Sequence, residues 1–182
     1  MDNPFEEIRE IMAILVSDAL RSYALQGTDV QCSRRIYARS VFALIESLTE
    51  NLKHIALSSN KLTGKKPSAA EISLLKEETY ALTESGELYK DPKYIDLPRN
   101  IRFTYRVCAR LFNSEYKLEV NEGWSVFMHA FDIFSRISHP KNSADLQISD
   151  ADLDWIDQAH QWYRQVFLDL LRSTNLKSGQ AS

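Results

Sequence analysis

The stretch "FDIFSRISHPKNSADLQISDADLDW", residues 131–155, holds the end of one helix, a connection and the start of the next. Phe131, Phe134 and Ile137 recur every three residues, so an apolar helical face runs up to His139. Pro140 stops it there, because its ring removes a backbone N–H and clashes with the preceding turn. Ser149 with Asp152 three residues later opens another helix, whose Leu153, Ile156, Ala159, Tyr163, Val166, Phe167 and Leu170 keep the helical period to about Arg172. Helix, short polar connection and helix again is the pattern of a bundle.

Outward from this stretch the pattern repeats. The helix stopped by Pro140 reads back to Glu122, and Trp124, Phe127 and Met128 widen its aromatic face. Before it, Asn100 to Phe112 reads as a helix with Phe103, Val107, Ala109 and Leu111. At the start, Asn3, Pro4 and Glu6 form a capping signal. The apolar residues that follow, from Phe5 to Leu20, are spaced three and four apart until Gly27. A longer helix is expected from about Asp29 to Leu57, with Val41, Ile45, Leu48, Leu52 and Ala56 on one stripe. Arg35, Arg39, Glu46 and Lys53 fall well away from that stripe and read as a charged second face. "SSNKLTGKKPSAA", residues 58–70, reads as a surface loop. Ser68 and Glu71 make a further capping box, opening a short helix to about Thr79.

Gly86, Pro92 and Pro98 interrupt any helix through residues 80–99, which read as an irregular insertion with a small hairpin around Leu88 and Tyr94. No set of alternating strands, internal repeat or Gly-rich phosphate loop is present in the sequence. The expected fold is therefore all-α, a helical bundle of five to six helices forming a single domain over residues 1–175, with 176–182 as a flexible tail.

Composition narrows the function. The chain has 182 residues, 44% hydrophobic and 26% charged, and a net charge of −3 from 22 basic and 25 acidic side chains. Any nucleic-acid contact therefore needs a local basic patch, since no global positive field exists. Cys32 and Cys108 lack metal-ligand spacing and suit buried thiols in a reducing compartment. The acidic N-terminus is unlike a signal peptide, and no apolar run approaches the ~20 residues of a membrane span. The expectation is a cytoplasmic protein with no membrane partner, no cofactor and no bound metal.

His129, Asp132, Arg136 and His139 are spaced three, four and three residues apart and share one side of their helix. Two imidazoles, a carboxylate and a guanidinium on one seam can hold a phosphate, transfer protons or, as the weaker alternative, bind a metal through His129 and Asp132. Against that stands a solvated face with an Asp132–Arg136 helix pair. His139 and Lys141 also suit the negative end of the helix dipole.

"SRISHPKNSADLQISDADL" resembles the end of the last-but-one long helix of the HEPN superfamily, helical bundles marked by an Arg and a His five positions later. In one variant the signature continues as a basic residue, a β-branched or leucine residue, Ser or Thr, His, Pro and Lys. Arg136, Ile137, Ser138, His139, Pro140 and Lys141 match it. "RRIYARSVFALIESL" is similar to the long early helix, with Tyr37, Arg39 and Glu46 in the family style. In active members the resemblance implies metal-independent RNA cleavage, with His as general acid or base and Arg stabilising the phosphorane charge. Phe134 stands five residues before His139, where the signature Arg belongs, and Ser135 follows where Asn, Asp or His is usual. Arg136, two residues on, is rotated by about 200° around the helix.

The resemblance implies a noncatalytic or weakly catalytic HEPN-like homodimer, with His139, Arg136, Arg39 and Glu46 at a bundle or dimer cleft. RNA or an antitoxin-like protein would then be its partner in a defence or toxin–antitoxin setting. The alternatives are a ribonuclease using His139 with Arg136 or Arg39, and a plain protein-interaction module. Whether the chain is an enzyme stays open at this level. His139 and Arg136 are the catalytic candidates, and Arg39, Glu46, Asp132, His129 and Lys141 the binding ones.

Overall fold

The computed structural model describes residues 4–24 and 30–174. The chain is all-α, as its periodicity predicts. Its helices are α1 (Pro4–Ala24), α2 (Val30–Thr63), α3 (Ala69–Leu75), α4 (Leu97–Leu111), α5 (Glu122–Ser138) and α6 (Asp150–Ser173), with a one-turn 3-10 helix at Ser143–Leu146. Asn3, Gly27 and the 176–182 tail lie outside the described residues.

The chain divides into two compact units, 1–48 with 119–168 and 49–118 with 169–182. In the first, Ala38, Val41, Phe42 and Ile45 of α2 are buried, as are Phe127, Ala130 and Ile137 of α5 and Ile156, Ala159, Tyr163 and Phe167 of α6. Val41, Ile45, Phe127, Ile137 and the α6 residues are positions that the three-four spacing assigns to a core, and Ala38, Phe42 and Ala130 join them. A Cβ on Gly123, in the first turn of α5, would overlap the Trp162 indole of α6, so only glycine allows that approach. In the second unit, Leu52, Ile55 and Ala56 of α2, Leu75 of α3 and Ile101, Tyr105, Cys108 and Leu111 of α4 are buried.

Local chemistry sets the element ends. The Ser68–Glu71 capping box opens α3, and Asp96 caps α4 through the Arg99 N–H. The helices α2, α3 and α4 each run into a residue with positive φ: Gly64 at 72°, Glu77 at 51° and Asn113 at 55°. Left-handed residues at this position let the last turn close its carbonyl hydrogen bonds. After α4 the Ser114 N–H reaches the Ala109 carbonyl at 2.9 Å.

Three expectations are corrected. Helix α2 continues six residues past Leu57, because Ser59 is buried and donates to the Lys65 carbonyl at 3.0 Å, so the loop begins at Gly64. Helix α3 ends at Leu75 and not near Thr79, and the chain after it forms an ordered antiparallel hairpin, β1 (Glu78–Leu82) with β2 (Leu88–Pro92). Tyr94 lies beyond the second strand. Pro98 sits in the first turn of α4, where its missing N–H has no partner to lose.

Candidate functional site

The residues singled out by the HEPN resemblance all lie in the first unit, with Arg136, His139 and Lys141 at the junction of α5 with α6. Helix α5 ends at Ser138, and His139 caps it with its backbone N–H on the Ser135 carbonyl at 3.0 Å. The His139 and Lys141 side chains are exposed. The connection then folds on itself. The Asp145 carboxylate accepts the Lys141 and Asn142 N–H groups at 2.7 and 3.2 Å, and the Asn142 side chain accepts from Ala144 and Asp145.

Four consecutive carbonyls of this connection are held by side chains from elsewhere in the unit. Arg136 Nη1 donates to the Asp145 and Gln147 carbonyls at 3.1 and 2.8 Å. Arg35 donates to the Leu146 carbonyl at 3.1 Å. Arg34 reaches the Ile148 carbonyl at 2.7 Å, which also accepts from Gln31 at 3.0 Å, while the Gln31 side-chain oxygen takes the Ile148 N–H at 2.9 Å. Ile148 itself is buried. The same guanidinium groups neutralise the start of α6: Arg136 pairs with Asp152 at 3.2 Å and Arg34 with Asp150. Asp152 in turn accepts the Ser149 N–H, and Ser149 the Asp152 N–H, completing the capping box expected at this helix start.

Arg136 therefore pairs with Asp152, across the connection, rather than with Asp132. Its planar fork is matched to backbone oxygens and one carboxylate. Arg39 Nη2 donates to the Ile137 carbonyl at 3.2 Å, satisfying one of the terminal acceptors of α5. Glu46 is exposed on α2. His129 and Asp132 are exposed on α5, and the His129 ring stacks on Trp155 with centroids 5.0 Å apart. Among the described residues no group of three or more His, Cys, Asp or Glu side chains could hold a metal ion. Where the signature Arg would stand, Phe134 stacks on the buried Phe42.

The second unit contains two features that the sequence reading did not find. The first corrects the charged face of α2: Lys53 is 1% exposed and not solvated. Its ammonium lies 2.6 Å from Glu50 and 2.5 Å from Glu77, and Asn100 donates to the same Glu77 oxygen. Burial pushes the Glu77 carboxyl up, but hydrogen bonds from Lys53 and Asn100 and the Lys53 charge outweigh it, leaving the pKa lowered. Nearby on α4, burial alone pushes the Cys108 thiol up to about 12, which makes it a core residue rather than a nucleophile.

The second feature is a groove of about 700 Å³ along α4. Arg99, Arg102, Arg106 and Arg110 line it, at spacings of three, four and four residues that confine them to an arc of about 80°. Phe103, Tyr116 and Lys117 join them. That spacing is legible in the sequence, but a reading of α4 directed to its apolar positions passes over it.

No family model, curated protein or solved structure matches this chain.

Proposed function

We propose that this chain is a noncatalytic, HEPN-like helical protein that works by contacting protein or RNA rather than by breaking bonds. The observation that carries the reading is the engagement of Arg136. Among the described residues, all its hydrogen bonds go to the Asp145 and Gln147 carbonyls and to Asp152. To stabilise a developing phosphorane it would have to abandon these, and catalysis rewards donors already aimed at the reacting centre. Phe134 supplies no charge in the position of the signature Arg. His139 is then an exposed imidazole at a helix end, a common structural placement.

The test is incubation of the purified chain with a panel of structured and unstructured RNAs in chelator. The RNAs are expected to survive intact, and His139→Ala to behave like the parent. Metal-independent cleavage that disappears in a folded His139→Ala variant would overturn the proposal.

A further inference from the structure

We infer that the α4 groove is a binding site for single-stranded nucleic acid, which it holds by the sugar-phosphate backbone. The inference shares no residue with the α5–α6 junction and goes beyond the noncatalytic reading. Five cations, Arg99, Arg102, Arg106, Arg110 and Lys117, line the groove with one carboxylate, Glu115. Even with Asp96 and Glu71 paired to Arg99 and Arg110, positive charge is in surplus. The chain as a whole carries a net charge of −3, so positive charge is concentrated here against the overall balance. A local patch of this kind is what nucleic-acid contact requires of an acidic protein.

Four of the five cations are arginines, whose flat guanidinium groups take phosphate oxygens two at a time. Successive arginines rise about 4.5 to 6 Å along the helix, comparable to the separation of neighbouring phosphates in an extended strand. Arg99 and Arg110 are tethered to Asp96 and Glu71, each at 2.6 Å. These pairs orient the two ends of the row. Arg106 and Lys117 make no ion pair among the described residues and are exposed, so they are available to an incoming anion.

The groove also contains what an acidic peptide would not need. Phe103 and Tyr116 are both half-buried in its wall, and Tyr116 is steadied by Tyr105 at 6.3 Å between ring centroids. Aromatic rings beside a cationic track stack bases without regard to sequence. Charge and ring together favour a single strand over a polyanionic protein segment. RNA and DNA strands share this chemistry.

The experiment is fluorescence anisotropy of the full chain with labelled 15-nucleotide oligo(U) and oligo(dT), competed by polyglutamate. Five phosphate contacts, one for each lining cation, predict affinity falling on the order of 100-fold between 50 and 200 mM salt. An Arg106→Gln/Lys117→Gln double variant, altered only at exposed positions, is expected to bind at least tenfold more weakly. Three contacts then remain, and its affinity should fall only about 20-fold over the same salt range. Tyr116→Ala should weaken binding severalfold with the salt slope unchanged. Stronger binding of oligo(U) or of oligo(dT) identifies which strand the groove prefers, and either result supports the site. Absence of binding to both at 50 mM salt overturns the inference. So does equal displacement by polyglutamate, or binding that the double variant leaves intact. RNA cleavage by the parent chain would refute the noncatalytic reading while leaving this site standing.

Discussion

The Phe134 ring lies nearly parallel to that of Phe42, with centroids 4.4 Å apart and planes inclined by 10°. Phe42 is fully buried on α2 and also meets Phe127 and Phe131 of α5 at 6.2 Å each, so Phe134 closes one side of an aromatic cluster. A charged side chain here would remove a stacked pair and bring a guanidinium against apolar rings. Phe134→Arg rebuilds the Arg-to-His spacing of the family signature in sequence only. The variant is expected to lose about 2 kcal/mol in urea denaturation and to gain no RNA cleavage. Appearance of metal-independent cleavage in this variant would mean that only the missing Arg had silenced the site.

Arg136 and His139 should separate by experiment. Arg136→Ala removes hydrogen bonds from two carbonyls and leaves Asp152 without its cation. The expected loss is about 2 to 3 kcal/mol, with faster amide exchange at Ile148 and through the first turn of α6. Arg136→Lys should recover little of this, because one ammonium cannot span the Asp145 and Gln147 carbonyls and Asp152 together. His139→Ala, an exposed position, should fall within about 0.5 kcal/mol of the parent. The reverse order of stabilities would remove the clamp role assigned to Arg136.

The contrast between these residues shows what the sequence can and cannot convey. Pro140 and the Ser149–Asp152 pair mark where α5 stops and α6 starts, because such signals act within a turn or two of the chain. The buried faces of α2, α5 and α6 follow from periodicity for the same local reason. The role of Arg136 does not, since its oxygens lie nine to sixteen residues away in a connection whose path depends on tertiary packing. Lys53 is harder still. Its type and its angular position on α2 both speak for solvent, and only the turn at Glu77, 24 residues on, makes its burial tolerable.

The Lys53 cluster predicts an asymmetry. Glu77 holds a left-handed backbone that costs a non-glycine residue on the order of 1 kcal/mol, and its carboxylate is what Lys53 and Asn100 grip. Removing the carboxylate leaves a buried ammonium with Glu50 alone. Glu77→Ala is therefore expected to cost about 3 kcal/mol. Lys53→Met fills the same space and leaves carboxylates that water can reach, so it should cost less than half as much. Because the Glu77 pKa is lowered on folding, its contribution is present above the unfolded carboxylate pKa of about 4.3 and is lost as pH falls through the lower folded value. Urea titrations between pH 7 and pH 3 should show a shallower acid decline in Lys53→Met than in the parent. Equal costs for the two substitutions would contradict the cluster as described.

His160 supplies a pH dependence at a second place. It lies on α6 beside a cavity of about 20 Å³ bordered by Val16, Leu44, Leu48 and Phe167, and its Nε2 is buried with no hydrogen-bond partner among the described residues. Burial lowers its pKa, Asp157 works against that, and Arg164 adds to it, with a net shift downward. The unfolded chain therefore takes up the His160 proton at a higher pH than the folded chain. Stability conferred by the neutral ring is full above the unfolded pKa of about 6.5 and is lost as pH falls from there through the folded pKa. His160→Leu fills the site without a titrating group and covers the orphaned nitrogen position with carbon. It should match or exceed the parent in stability at pH 7.5, and its advantage should widen by pH 5.5. Thermal melts at the two pH values make the comparison. An advantage that narrows on acidification would show that the folded protein binds the His160 proton more tightly than the unfolded chain does.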